Sequence, residues 1–101
     1  MDYAKQTEIF SALNSELRLQ LLEEITQGSA SAPDLADQDK FQVTAETIHN
    51  NLRELERVGL VDREEVYGPG NRPRDEFTLS GDIELMLKVK SDEYSFELNI
   101  E

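Results

Sequence analysis

Cysteine is absent and histidine occurs once, at His49. Without cysteine there is no disulfide framework, no thiolate metal site and no thiol switch. A single histidine cannot by itself build a histidine zinc site. No apolar run approaches the ~18 residues needed to span a bilayer, so no membrane partner is expected. The opening Met-Asp-Tyr-Ala-Lys-Gln lacks the features of a signal peptide, and the expected location is cytoplasmic. No nucleophile–base pair, carboxylate dyad or phosphate-cradling glycine loop stands out. The expectation is therefore not an enzyme, with no catalytic residues, no bound metal and no cofactor. Positive charge is also scarce: 10 Lys and Arg face 22 Asp and Glu, for a net charge of −12.

A chain of 101 residues is long enough for one modest core. The negative balance ordinarily argues against a nucleic-acid partner, but its distribution changes that reading. Residues 1–39 hold two cations and eight carboxylates, and residues 75–101 repeat that ratio. Residues 40–74 hold six of each, the cations being Lys40, Arg53, Arg57, Arg63, Arg72 and Arg74. A cation-bearing middle between acidic flanks fits a protein with one anion-facing side.

The chain is organised around Thr44–Val61. Ile48, Leu52 and Leu55 recur at i, i+4 and i+7, one apolar stripe on a helix. Thr44 is placed to cap its start, and Gly59 suits a left-handed residue past its end. With Ile48 inward, 3.6 residues per turn put Glu46, Asn50, Arg53 and Arg57 on the far side, flanked by Thr47 and His49. Short or planar donors such as these suit base edges and phosphates. A plain polar surface helix is the competing reading.

Upstream, Ile9, Phe10 and Leu13 mark a first helix, Tyr3 to Leu13, with a frayed start. Ser15 heads a second helix, Glu16 to Gln27, whose stripe is Leu17, Leu21, Leu22 and Ile25 and whose stop is Gly28. Ser31-Ala-Pro-Asp opens a short third helix, with Leu35 and Ala36 inward. Phe41 and Val43 plug the turn into Thr44. A short helix, a tight turn and a longer helix make helix-turn-helix geometry.

After Gly59 the period drops to 2. Leu60–Tyr67 reads as a strand, Gly68–Arg74 as a turn with two Gly and two Pro, and Asp75–Leu79 as the returning strand. This hairpin is a wing whose tip carries Arg72 and Arg74 about Pro73, expected to hold both guanidinium groups outward. In the tail, Ile83, Leu85, Leu87 and Val89 alternate with polar or long side chains, as do Tyr94, Phe96, Leu98 and Ile100. Pairing Val89–Tyr94, Leu87–Phe96, Leu85–Leu98 and Ile83–Ile100 across a four-residue loop, Lys90–Glu93, puts all eight on one face. A helix over Asp82–Lys90 is the alternative and fits its period less well. The domain reading is 1–80 for the helix-turn-helix unit with its wing and 81–101 for a hairpin extension.

Leu52-Arg-Glu-Leu-Glu-Arg-Val-Gly-Leu-Val61 resembles the end of the recognition helix and the first wing strand in ArsR-like winged helix-turn-helix regulators. Ile9–Leu22 resembles that family's opening segment, and Asn71–Leu79 its wing. The resemblance covers residues 9–80. It implies an α+β winged helix-turn-helix fold and a homodimeric, sequence-specific DNA-binding transcriptional regulator. Helix 44–58 would lie in the major groove and wing 68–74 on the backbone or minor groove. By position it makes Thr44, Thr47, His49, Asn50 and Arg53 base or phosphate contacts. The residue chemistry adds Arg57, Arg72 and Arg74 to this double-stranded DNA surface. The family's cysteine-containing metal motif is missing from Asp34–Asp39, so metal sensing is not carried over, and no small-molecule effector is assigned. Asp75-Glu76 stands where the family continues basic or aromatic. The acid excess, six Arg against four Lys and the lack of cysteine resemble the acidic regulators of halophilic archaea.

An apolar face on a lone hairpin must be covered by something. The expectation is a two-fold dimer through Tyr3, Ile9, Phe10 and Leu13 of the first helix with Leu85, Leu87, Phe96 and Leu98 of the tail. A hairpin folded back on its own domain is the alternative. For function, the alternative is a protein-interaction winged-helix module that uses its acidic surface in a transcription or replication assembly.

Overall fold

The computed structural model describes residues 2–101. Four helices come first: α1 (Tyr3–Leu13), α2 (Glu16–Ile25), α3 (Ala32–Ala36) and α4 (Ala45–Arg57). Two antiparallel hairpins follow, β1 (Val61–Tyr67) with β2 (Pro73–Leu79), and β3 (Ile83–Lys90) with β4 (Glu93–Ile100). This is an α+β winged helix-turn-helix fold with a C-terminal hairpin.

Each helix starts on a side-chain oxygen that accepts an otherwise orphaned N–H. Asp2 accepts from Lys5 at 3.0 Å, Ser15 from Arg18 at 3.2 Å, Ser31 from Asp34 at 3.3 Å and Thr44 from Thr47 at 3.2 Å. Such a cap stabilises a helix by about 1 kcal/mol. The Asp2 cap gives α1 a defined start where the sequence suggested fraying. Gly59, at φ 85°, ends the α4 segment in the left-handed region, where a Cβ is costly. The α2 helix stops at Ile25, short of the expected Gln27, because the chain tightens and Gly28 N–H bonds the Ile25 carbonyl at 3.0 Å.

The core takes residues from α2 (Leu21 and Ile25), α3 (Leu35) and α4 (Ile48, Leu52 and Leu55), closed by Leu60, Val61 and Phe77. Phe41 plugs the turn into α4, but Val43 is exposed. Phe77 is fully buried, and its backbone exchanges two hydrogen bonds with Ala30, at 3.1 and 2.9 Å. The wing is thereby pinned to the loop before α3. The β2 strand begins at Pro73, two residues earlier than expected, paired with Tyr67. Proline is tolerated there because a first strand residue need not donate.

The tail is a hairpin, not a helix, in the register that places its eight apolar side chains on one face. Lys90 pairs with Glu93 as well, so the turn shrinks to Ser91-Asp92. The root of the hairpin packs on its own domain, with Ile83 and Leu98 against the core. Phe96 meets Phe10 edge-on at 5.5 Å, and Tyr94 meets Tyr3 at 6.2 Å. Tyr94 donates its hydroxyl proton to the buried Gln6 Oε1 at 2.6 Å. Towards the turn the cover runs out, and Leu87 and Val89 are exposed. Ile9 is 2% exposed, so its own chain already buries it, contrary to the interface role expected for it. Leu13 packs on the core edge. Tyr3 and Phe10 keep exposed surface.

Candidate nucleic-acid interface

The buried stripe of α4 holds its polar face outward, and the pinning of Phe77 sets the wing beside it. Thr44 and Thr47 stand at the free N-terminus of α4, where backbone N–H groups and the helix dipole favour an anion. The Thr44 hydroxyl donates to Thr47 Oγ1 at 3.1 Å, which orients both. Asn50 is exposed, and among the described residues no hydrogen bond holds its amide. The neighbouring Asn51 is committed elsewhere. Its amide donates to the Thr47 carbonyl at 2.7 Å and its oxygen accepts from Arg18 Nε at 2.9 Å. Arg18 also donates to the Ser11 and Ala12 carbonyls, so this pair fastens α4 to the end of α1. The signal was in the spacing, since Asn51 lies three residues after Ile48 on the inward edge.

His49 is partly exposed but turned towards the wing. Its Nε2 lies 3.0 Å from Asp75 Oδ2, and its ring meets Phe77 edge-on at 5.7 Å. Arg63 also donates to Asp75 Oδ2, at 3.3 Å, and reaches Glu56 Oε2 at 3.3 Å. The hydrogen bond with His49, and then that from Arg63, hold the Asp75 carboxyl below its ordinary pKa. Asp75-Glu76, the acidic pair that departs from the ArsR-like pattern, is thus used structurally. Asp75 fastens the wing to α4, and Glu76 accepts from Ser29 at 2.9 Å.

The cations divide by partner. Arg53 pairs with Glu56 at 2.8 Å and Arg57 with Glu54 at 2.8 Å, one turn along α4. Both are half-exposed, and pairs so open to solvent are weak, so a phosphate can displace them. Lys40 pairs with Glu24. Arg72 is exposed at the wing tip, and among the described residues no carboxylate pairs with it. Arg74 does not point outward as expected. It folds back past Gly68 towards Asp34 at 3.7 Å and Glu76 at 3.6 Å, and its Nε is buried without a partner.

A helix pair, a longer helix with a polar outer face and a hairpin clamped beside it define a winged helix-turn-helix fold. No model of a known protein family matches the sequence, and no curated protein matches it. Solved structures do. An ArsR-like transcriptional regulator from Rhodococcus sp. RHA1 matches with a TM-score of 0.61 and 28% identity, over 76% of this chain and 66% of that one. A protein described as a transcriptional regulator of the MarR family, from Enterococcus faecalis V583, matches with a TM-score of 0.56 and 36% identity, over 78% of this chain and 70% of that one. The chain belongs to the winged-helix transcriptional regulators, the class these two structures share. It spans about two-thirds of the length of each. Among the described residues no helix is long and apolar enough to cross a membrane.

Proposed function

We propose that the protein is a sequence-preferring, dimeric DNA-binding regulator that seats α4 in the major groove and its wing on the adjoining backbone. The observation that carries this reading is the exposed, uncommitted Asn50 amide on α4 beside a wing clamped in place by His49 and Asp75. Asn50 suits the donor and acceptor edge of adenine. Thr44, Thr47, Arg53 and Arg57 contact phosphate or base edges around it, and Arg72 anchors the wing tip. His49 and Arg74 act mainly by setting the wing's position. Dimerisation uses Tyr3 and Phe10 with the tail, including Leu85, Leu87, Phe96 and Leu98, and presents two recognition helices to half-sites about one DNA turn apart.

The acidic flanks set the working conditions. Their repulsion of DNA is screened as salt rises, with a Debye length of about 3 Å at 1 M, which fits a halophilic cell interior. Fluorescence anisotropy on the protein's own promoter and on an unrelated duplex, in low salt and in molar KCl, tests the reading. A preference for the promoter is expected. Equal affinity for the two duplexes, or no binding at either salt, would refute it. One observation favours the protein-interaction alternative: in this middle region Lys40, Arg53, Arg57, Arg63 and Arg74 all face carboxylates of their own chain. That reading predicts no DNA binding at any salt.

A further inference from the structure

Beyond the wing, the tail hairpin carries a feature that helix-turn-helix geometry does not use. The β3 and β4 strands pair only with each other, so each keeps a free edge. Asp82 and Glu101 exchange both backbone hydrogen bonds, at 2.8 and 3.0 Å. Alternation along an antiparallel ladder then turns the backbone groups of Glu84, Met86, Lys88 and Lys90 towards β4 as well. Those of Ile83, Leu85, Leu87 and Val89 are left pointing outward. An unpaired edge of this length is a template for another strand.

Charge selects the strand. Read outward from the root, the polar side of β3 runs Asp82, Glu84, Met86, Lys88, Lys90: acidic, neutral, basic. Laid antiparallel on a copy of itself about Met86, it sets Asp82 against Lys90 and Glu84 against Lys88, twice each. The same register sets Ile83 against Val89 and Leu85 against Leu87 on the apolar side. Both of these are pairs of outward-pointing residues, so the ladder hydrogen bonds form where free groups exist. Shifting by two residues towards the turn sets Asp82 against Asp92. The β4 strand carries Glu93 and Glu97 and no cation, so a copy offers it no charge partner.

Space is present at the right place. A cavity of about 570 Å³ lies along the root of β3, lined by four consecutive residues, Asp82 to Leu85, and by Leu13, Leu22, Leu60 and Leu79. Glu23, Asp82 and Glu84 contribute carboxylates to its lining, and no lysine or arginine lines it. Val89 is 69% exposed at the far end of the same strand, between Lys88 and Lys90. We propose that two copies join edge to edge through β3 into a four-stranded sheet, each laying Val89 beside Ile83 at the cavity of the other, with Lys88 and Lys90 on the opposite, polar side of the sheet against Glu84 and Asp82. The proposal rests on the dimer reading above and places its seam at the β3 edge, leaving Tyr3 and Phe10 to cover β4 of their own chain.

The test uses the full chain, with mass followed by light scattering on dilution. Glu84→Lys and Lys88→Glu each turn two attractive cross-strand pairs into repulsive ones. Each should raise the dimer dissociation constant about thirtyfold, with unchanged circular dichroism. Mixed in equal amounts, the two variants are complementary again. Native mass spectrometry should find a dimer containing one of each. Met86→Cys sits on the two-fold axis of a chain with no other cysteine and should cross-link under mild oxidation, whereas Asn99→Cys on β4 should not. A wild-type dimer indifferent to both reversals, or a mixture that stays monomeric, overturns the register and leaves a dimer built another way. A wild-type chain that is monomeric at every concentration overturns the dimer reading itself.

Discussion

His49 and Asp75 lie 26 residues apart in the chain and 3.0 Å apart in space, Nε2 to Oδ2. One stands on α4 and the other on β2, the second wing strand. Asp75 also accepts from Arg63, whose other nitrogen reaches Glu56, which in turn holds Arg53. One network therefore runs from the wing to a cation on the proposed DNA-facing side of α4.

That network predicts a pH dependence. The Asp75 carboxyl is held below its ordinary value of 3.8, first by the hydrogen bond with His49 and then by Arg63. A depressed folded-state value means a stabilisation fully present above 3.8 and lost as pH falls through the folded-state value. Asp75→Asn should cost about 1 kcal/mol near neutrality, the usual worth of a partly exposed charge-assisted contact. Urea titrations of the two proteins should converge as the solution is acidified below 3.8. A constant gap at all pH values would show that the carboxylate charge is not what holds the wing.

Asn50→Ala tests base reading. Loss of a two-point contact to one base should cost roughly 1–3 kcal/mol on the preferred site and less on random DNA. Stability should be unchanged, since the side chain is exposed. Equal losses on both DNAs would make Asn50 a backbone contact.

The two wing arginines should behave differently. Arg72→Ala should lower the slope of log affinity against log salt by about one unit, with no change in stability. Arg74 turns back towards Asp34 and Glu76. Its alanine variant should change the slope less and alter stability by about 0.5 kcal/mol, as expected of half-exposed pairs. Identical slopes for the two variants would contradict this division of labour.

Phe77 joins the wing, the loop before α3 and the core. Phe77→Ala should destabilise the domain by about 3–5 kcal/mol. If that variant does not fold, Phe77→Leu keeps the test readable, with an expected loss of about 1–2 kcal/mol. Urea unfolding measures both. A loss under about 0.5 kcal/mol, the scale of an ordinary surface change, would mean that the wing is held independently of the core.

What the sequence determined by itself was local or periodic. Ser15, Ser31 and Thr44 could be assigned as caps because each bonds an N–H only three residues on. The α4 stripe could be read because Ile48, Leu52 and Leu55 repeat at the helical period. The tail register was legible for a related reason: a one-residue slip sends every apolar side chain to the other face, leaving one good alignment. Tertiary structure decided which polar groups meet. Arg18 finds Asn51 across 33 positions, His49 turns to Asp75 on the wing, and Arg74 bends back to Asp34 while Arg72 stays out. It also decided that Ile9 serves its own core while Val89 is left bare. Ion pairs and burial depend on where distant segments come to rest. No period in the chain encodes that distance, whereas caps and stripes are complete within one or two turns of it.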